Sequence, residues 1–184
     1  MSPRRAELEA AQGRTVPDVV GSALRVLFCG INPGLTSALT GHHFAGPGNR
    51  FWPALFGAGF TDRLLGPGEQ STLPSYGIGI TNLVARATAT AAELGRAELE
   101  DGVVGLEAKV DQLRPTAVAF LGMGAYRTAF GRPKAPLGLQ NDTLGATAIW
   151  LLPNPSGLQA RYQLPELVSL FTELRLAVER PEGA

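Results

Sequence analysis

Four short runs along the chain are largely apolar, with little alternation. They are Leu24 to Cys29, Gly77 to Thr81, Thr116 to Leu121 and Thr147 to Leu152. A strand with one wet face alternates, whereas a strand covered on both faces does not. These runs therefore predict buried strands of a parallel sheet. Between them the period lengthens. Leu99, Val103, Leu106, Val110 and Leu113 step by four and three, which predicts a helix with one apolar stripe. Leu164, Leu167, Leu170, Phe171, Leu174 and Val178 predict a second helix, with Pro165 in its first turn. A third is predicted from Phe51 to Phe60, with Asn49 as its N-cap. Strands that alternate with helices imply an α/β fold with right-handed crossovers. Sites in such sheets form at the carboxyl ends of the strands.

Composition narrows the picture. The 184 residues suit one domain with a substantial core. Residues 1–20 are polar and rich in Ala, Arg and Glu, and are expected to be a flexible arm or a short helix. Residues 21–184 are expected to form the single domain. No apolar run approaches the ~20 residues of a bilayer span. No secretory h-region is visible either, so a cytoplasmic location is expected. The single cysteine, Cys29, excludes an internal disulfide and a multi-cysteine zinc site. Sixteen cations balance sixteen anions, which argues against a non-specific nucleic-acid coat protein. Only Lys109 and Lys134 among the cations are lysines. Arginine suits bidentate phosphate contacts, but an Ala/Gly/Arg/Pro-rich chain is also what a GC-rich genome writes.

The segments after the first and last strands carry the candidate chemistry. Gly30-Ile31-Asn32-Pro33-Gly34 is a stiff turn. Asn32 either makes that turn or presents an amide acceptor and donor at the edge of the sheet. Farther on, Phe44 lies in a glycine-rich loop beside His43. It is either core or an aromatic face offered to a planar ligand. The His42-His43 pair lacks the partners a metal site needs. Leu152-Pro153-Asn154-Pro155-Ser156-Gly157-Leu158 is stiffened by its prolines, with Leu158 at the tip. Such a leucine either tucks into the core or acts as a wedge that enters a base stack. A nucleotide-binding α/β protein is a rival reading, but the first turn lacks the dinucleotide fingerprint and the phosphate-loop lysine; a non-catalytic module that binds damaged DNA is another.

Four motifs now stand in order: Gly30-Ile31-Asn32-Pro33-Gly34, Asn49-Arg50-Phe51-Trp52, Thr81-Asn82-Leu83-Val84 and Leu152 to Leu158. With them the chain resembles the mismatch-specific uracil-DNA glycosylases, relatives of thymine-DNA glycosylase, over about residues 24–178. The resemblance implies a three-layer α/β/α sandwich around a short, mainly parallel sheet. It implies a monofunctional enzyme of base excision repair without metal or organic cofactor. Its partner would be duplex DNA carrying uracil or a damaged pyrimidine, preferably opposite guanine, and the enzyme would be a monomer. Asn32 matches the catalytic asparagine and Phe44 the aromatic that stacks on the flipped base. Gly30, Ile31 and Asn82 fall around that base. Leu158 matches the wedge, within a loop (Asn154, Pro155, Ser156, Gly157, Gln159) that faces the opposite strand.

Three further expectations attach to the resemblance. Glu93 follows the second strand and is a candidate second catalytic group, or else a helix first-turn carboxylate. Gln159 is expected to accept more than strict guanine opposite the lesion. Arg50 and Arg161 flank two motifs and are candidates for a local positive rim, with Thr36 and Ser37 as neutral phosphate contacts.

Overall fold

The computed structural model describes residues 3–179. Five strands form one sheet: β1 (Val26–Gly30), β2 (Ile78–Asn82), β3 (Ala117–Leu121), β4 (Gly138–Leu144) and β5 (Thr147–Leu152). Their order is β2-β1-β3-β5-β4, parallel except for β4, which pairs antiparallel with β5 at one edge. The sheet is mixed and flanked by helices, an α/β fold with a mainly parallel centre. Four strands fall where the apolar runs predict them. β4 does not, because its Gly-Leu-Gln-Asn-Asp-Thr-Leu sequence alternates between exposed and half-buried and reads locally as a turn.

The two faces of the sheet bury separate cores. Val26, Phe28, Ile78, Ile80, Ala117, Ala119 and Leu152 face one way, against α3 (Phe51–Gly57) and α6 (Leu164–Glu179). Leu27, Cys29, Val118, Phe120, Ile149 and Leu151 face the other, against α4 (Arg96–Leu113) and α5 (Met123–Ala129). The period-two alternation along β1 thus feeds both cores, which is why no polar residue interrupts it. Phe28, Phe51 and Phe171 join strand to helices, with ring centroids 5.3 and 5.4 Å from Phe28.

Helix α3 starts one residue later than an Asn49 cap implies. Arg50 holds the N-cap position, yet Asn49 Oδ1 still accepts from Phe51 N at 2.9 Å. Three short helices have no periodic signal: α1 (Pro3–Glu9), α2 (Leu35–Thr40) and α5. At six or seven residues each they are too short to be stable alone, so docking holds them. The first twenty residues, expected as an arm or a short helix, contain α1 and then run along the domain. Gly13 N donates to Ala87 O at 2.9 Å, and Val19 bridges the free edge of β2 through Ile80. Asp18 accepts from Thr81 Oγ1 and pairs with Lys109 Nζ, each at 2.7 Å. Among the described residues no helix is long and apolar enough to cross a membrane.

Two glycines of α4 give a sharp test of this packing. A Cβ at Gly102 would lie 2.6 Å from Leu83 O, whereas one at Gly105 would meet nothing within 4 Å. Gly105→Ala should raise stability by about 0.5–1 kcal/mol, the ordinary helix-interior gain. Gly102→Ala should lower it despite the same gain in propensity. Urea unfolding of the two variants should show shifts of opposite sign; equal stabilisation would mean that α4 does not press on the β2 exit.

Candidate functional site

The chain leaves β1 towards the α3/α6 layer and leaves β3 towards the α4/α5 layer. A crevice opens at the carboxyl ends between loops that part in this way. A cleft of about 660 Å³ lies there, lined by the turn after β1, Asn82 of β2, Leu121 of β3 and the loop after β5. Its floor is tight. A Cβ at Gly122 would lie 2.7 Å from Ile31 Cδ1, and one at Gly30 would lie 2.6 Å from Asn82 Oδ1 and 3.5 Å from the Phe44 ring. Glycine at position 30 is what lets Asn82 and Phe44 converge on the strand end.

The Asn32 side chain is held in one orientation. Its Nδ2 donates to Arg86 O at 3.0 Å and to Thr88 Oγ1 at 2.7 Å. The Thr88 hydroxyl spends its own proton on Thr90 O at 2.8 Å. Thr88 can therefore only accept from Asn32, which fixes which end of the amide is nitrogen. Both Nδ2 protons are used, and Oδ1 remains as an acceptor in a cleft-lining residue. Sequence reasoning missed Thr88. The signal was the Thr88-Ala89-Thr90 pair in the loop that follows β2, a spacing at which one hydroxyl can cap the other residue's carbonyl.

Phe44 is half-buried and lines the cleft. One face of its ring stacks on Phe51, centroids 4.1 Å apart and planes 26° from parallel. Its φ is +54°, a conformation that costs a non-glycine residue about 1–2 kcal/mol. The neighbours on each side hold it there. His43 N donates to Gln70 Oε1 at 2.7 Å, and Ala45 N donates to Ser37 Oγ at 3.1 Å. Strain held by flanking anchors is characteristic of ligand-facing loops. Gln70, far along the chain, carries no sequence signal for this task.

His43 is buried, with Nε2 2.8 Å from Pro17 O. A carbonyl only accepts, so Nε2 carries the proton and Nδ1 is left bare. That bare nitrogen faces Asn82 Nδ2 at 3.5 Å. Burial holds the imidazole pKa below its ordinary value, against the opposing pull of the Pro17 carbonyl and Asp18. The ring is therefore neutral near pH 7, and the supposed arm supplies the group that sets its tautomer.

The loop after β5 is braced internally. Asn154 Oδ1 accepts from Ser156 N at 3.0 Å, Ser156 Oγ accepts from Leu158 N at 3.3 Å, and Gln159 Oε1 accepts from Arg161 N at 3.1 Å. Pro155 is buried, while Leu158 is 89% exposed at the lip of the cleft. Ser156, Gly157 and Gln159 line the same lip.

Several expected positions fall elsewhere. Glu93 is exposed and does not line the cleft. Its carboxylate accepts from Thr90 N at 2.8 Å and Gln12 Nε2 at 3.0 Å, as a capping residue does. This corrects the expectation of a second catalytic carboxylate. Arg50 is not a rim cation, because its guanidinium points inward onto the 156–163 segment. Ser37 is buried beneath the Phe44 loop, with its oxygen accepting from Ala45 N, whereas Thr36 is half-buried on the cleft wall. Arg161 is exposed beside the lip, with Cζ 5.4 Å from the Tyr162 ring centroid. Among the described residues no cluster of His, Cys, Asp and Glu is placed to hold a metal ion.

Residues 17–175 match the family model of the Uracil DNA glycosylase superfamily, and the chain belongs to that superfamily. It is accordingly a DNA glycosylase, a hydrolase whose substrate is DNA. Its fold is similar to that of a presumed uracil DNA glycosylase from Methanosarcina acetivorans, determined by solution NMR. That likeness has a TM-score of 0.60 at 19% identity and covers 89% of this chain and 98% of the other.

Two outcomes follow from the hydrogen-bond geometry. Thr88→Val removes the acceptor that orients Asn32 and, on the expectation that Asn32 is the catalytic asparagine, should lower kcat for base excision roughly 3- to 10-fold with little change in KM. Thr88→Ser should restore it; equal losses in both would exclude the hydroxyl. For His43, the unfolded chain binds a proton that the folded chain refuses, between the depressed folded pKa and about 6.5. Stability should therefore fall as pH drops below about 6.5. Denaturation midpoints taken at neutral and mildly acid pH should diverge less in His43→Asn than in the wild type; identical divergence would assign the acid sensitivity to other groups.

Proposed function

We propose that this member of the uracil DNA glycosylase superfamily is a mismatch-specific uracil-DNA glycosylase. It flips uracil, and related bases such as ethenocytosine, out of duplex DNA and hydrolyses the bond between base and sugar. The product is an abasic site. The observation that carries this reading is the chemistry of the cleft lining. Among the described residues it combines amides, hydroxyls, one aromatic face and one exposed leucine, with no Asp, Glu, Lys or Arg.

Each part has a task in the reaction. A base inside a duplex must leave the stack before its sugar bond is accessible, at a cost of a few kcal/mol. Leu158, apolar and exposed on a braced loop, is suited to fill the hole left behind. A G·U mismatch opens more readily than a proper pair, which provides selectivity without many base contacts. Phe44 offers its ring to the flipped base; such stacking contributes about 1–3 kcal/mol per base. Asn82, beside the bare Nδ1 of His43, stands at the inner end where the edge of a base would be read.

Asn32 sets the limits of the chemistry. An amide has no pKa near neutrality and cannot deprotonate water. Its fixed Oδ1 can orient a water molecule towards the anomeric carbon while the base departs as an anion. Backbone N–H groups of the Gly30–Gly34 turn are suited to stabilise that anion. The resulting enzyme is slow and depends on leaving-group quality and ease of flipping. No step in this reading requires a metal or an organic cofactor, and none requires a second copy of the chain.

The decisive experiment is abasic-site formation from a duplex oligonucleotide carrying one uracil opposite guanine, under single-turnover conditions. Wild-type protein should cleave it faster than the matching A·U and G·T duplexes. Asn32→Ala should lose on the order of 100-fold or more in rate, as expected when a reacting water loses its positioning group. Glu93→Ala should keep its rate while losing some thermal stability with its capping box. A wild-type protein that binds the duplex without producing abasic sites would sink the catalytic reading.

A further inference from the structure

Arg50 closes the first turn of α3 and lies under the lip loop. Its Nη1 donates to Tyr162 O at 2.8 Å and Gln163 Oε1 at 2.9 Å. Its Nη2 donates to Ser156 O and Gln159 O, both at 2.6 Å. All four terminal protons of the guanidinium therefore hold the segment that carries Leu158. The backbone adds a fifth tie, Arg50 N to Pro155 O at 2.9 Å. The contact is close elsewhere too: a Cβ at Gly157 would lie 2.8 Å from Gly48 O. Arg50 Nε is buried without a partner among the described residues, so the side chain gives up one of its own hydrogen bonds to reach this position.

The next residue, Phe51, backs the Phe44 ring at 4.1 Å. Two adjacent residues, the N-cap and the first residue of α3, thus fix two remote features of the cleft. Arg50 sets the lip loop and Phe51 sets the stacking aromatic. We propose that Arg50 is the positioning residue of the wedge, tying Leu158 at a fixed offset from Phe44 so that filling the stack and receiving the flipped base occur as one event. The inference rests on the reading of Leu158 as the wedge. It also explains why the residue must be arginine. A planar fork can satisfy acceptors in four directions at once, whereas a lysine ammonium is a single point with three protons.

The test is a double-mutant cycle on the full chain. Wild type, Arg50→Lys, Leu158→Ala and the double variant are compared in single-turnover excision of uracil from two substrates. One is a G·U duplex, where a wedge is needed. The other carries uracil in an unpaired loop, where the base is already out of the stack. Leu158→Ala should lose at least about tenfold on the duplex and much less on the loop, where no base has to be extruded. Arg50→Lys should show the same split, and should add little to Leu158→Ala in the double variant. Amide hydrogen exchange in Arg50→Lys should speed up across residues 156–163 while the strands stay protected. If that variant does not fold, Gly157→Ala displaces the same loop and should give the same split.

The outcomes separate cleanly. If Leu158→Ala keeps full duplex activity, the wedge reading fails. If Leu158→Ala loses activity but the Arg50→Lys loss multiplies with it, or falls equally on both substrates, the positioning role is overturned. A fall of about one in the salt slope of binding on Arg50→Lys would return Arg50 to direct phosphate contact and also overturn it.

Discussion

The crevice between the exits of β1 and β3 is the constraint from which the other features follow. Parallel strands with right-handed crossovers send successive connections to one layer or the other. Here the connection after β1 enters the α3/α6 layer and the one after β3 enters the α4/α5 layer. The backbones must separate at that point, and the loops after β2 and β5 stand on either side. Asn32, Asn82, Phe44 and Leu158 come from separate segments of the chain and line this one opening.

An opening at strand ends exposes backbone groups that the sheet no longer pairs, so polar groups must be satisfied by other means. The protein does this with neutral groups. Asn32 donates to a carbonyl and a hydroxyl, Asn154 and Ser156 cap their own loop, and Gln70 braces the Phe44 loop. Each of these bonds removes a freedom from a cleft residue. The result is an uncharged, stiff site in which the orientation of each amide follows from what its neighbours can donate. Charge is kept outside. Arg86 pairs with Glu98, and Arg132 pairs with Asp142. The balance of sixteen cations and sixteen anions is therefore compatible with a DNA substrate, because the cleft lining itself is built from neutral residues.

The N-terminal segment shows what composition leaves out. Its Ala, Arg and Glu residues read as an arm or a short helix, and α1 is such a helix, but beyond it Pro17, Asp18 and Val19 each bond to a cleft residue or to the β2 edge. β2 is an edge strand and its N–H groups need cover, which a short antiparallel bridge supplies. Composition has no way of expressing that demand, since it belongs to the strand being covered.

The sequence by itself determined four of the five strands and the long helices, because burial on two faces and on one stripe writes distinct periods, whereas the half-exposed β4 left no such record. It also made Asn32, Phe44 and Leu158 legible as candidates, since stiff turns after strands and an apolar residue at a proline-bracketed tip are local facts. The tertiary structure decided what those turns could not express. It turned Arg50 inward, because four acceptors of a loop more than a hundred residues away lie within its reach. It left Glu93 outside, because a capping box captured its carboxylate. It recruited Thr88, Gln70 and Pro17, whose roles depend on partners supplied by other elements. Periodicity records which side of an element is buried, but a hydrogen bond between distant segments depends on two positions in space, and only the folded chain brings those together.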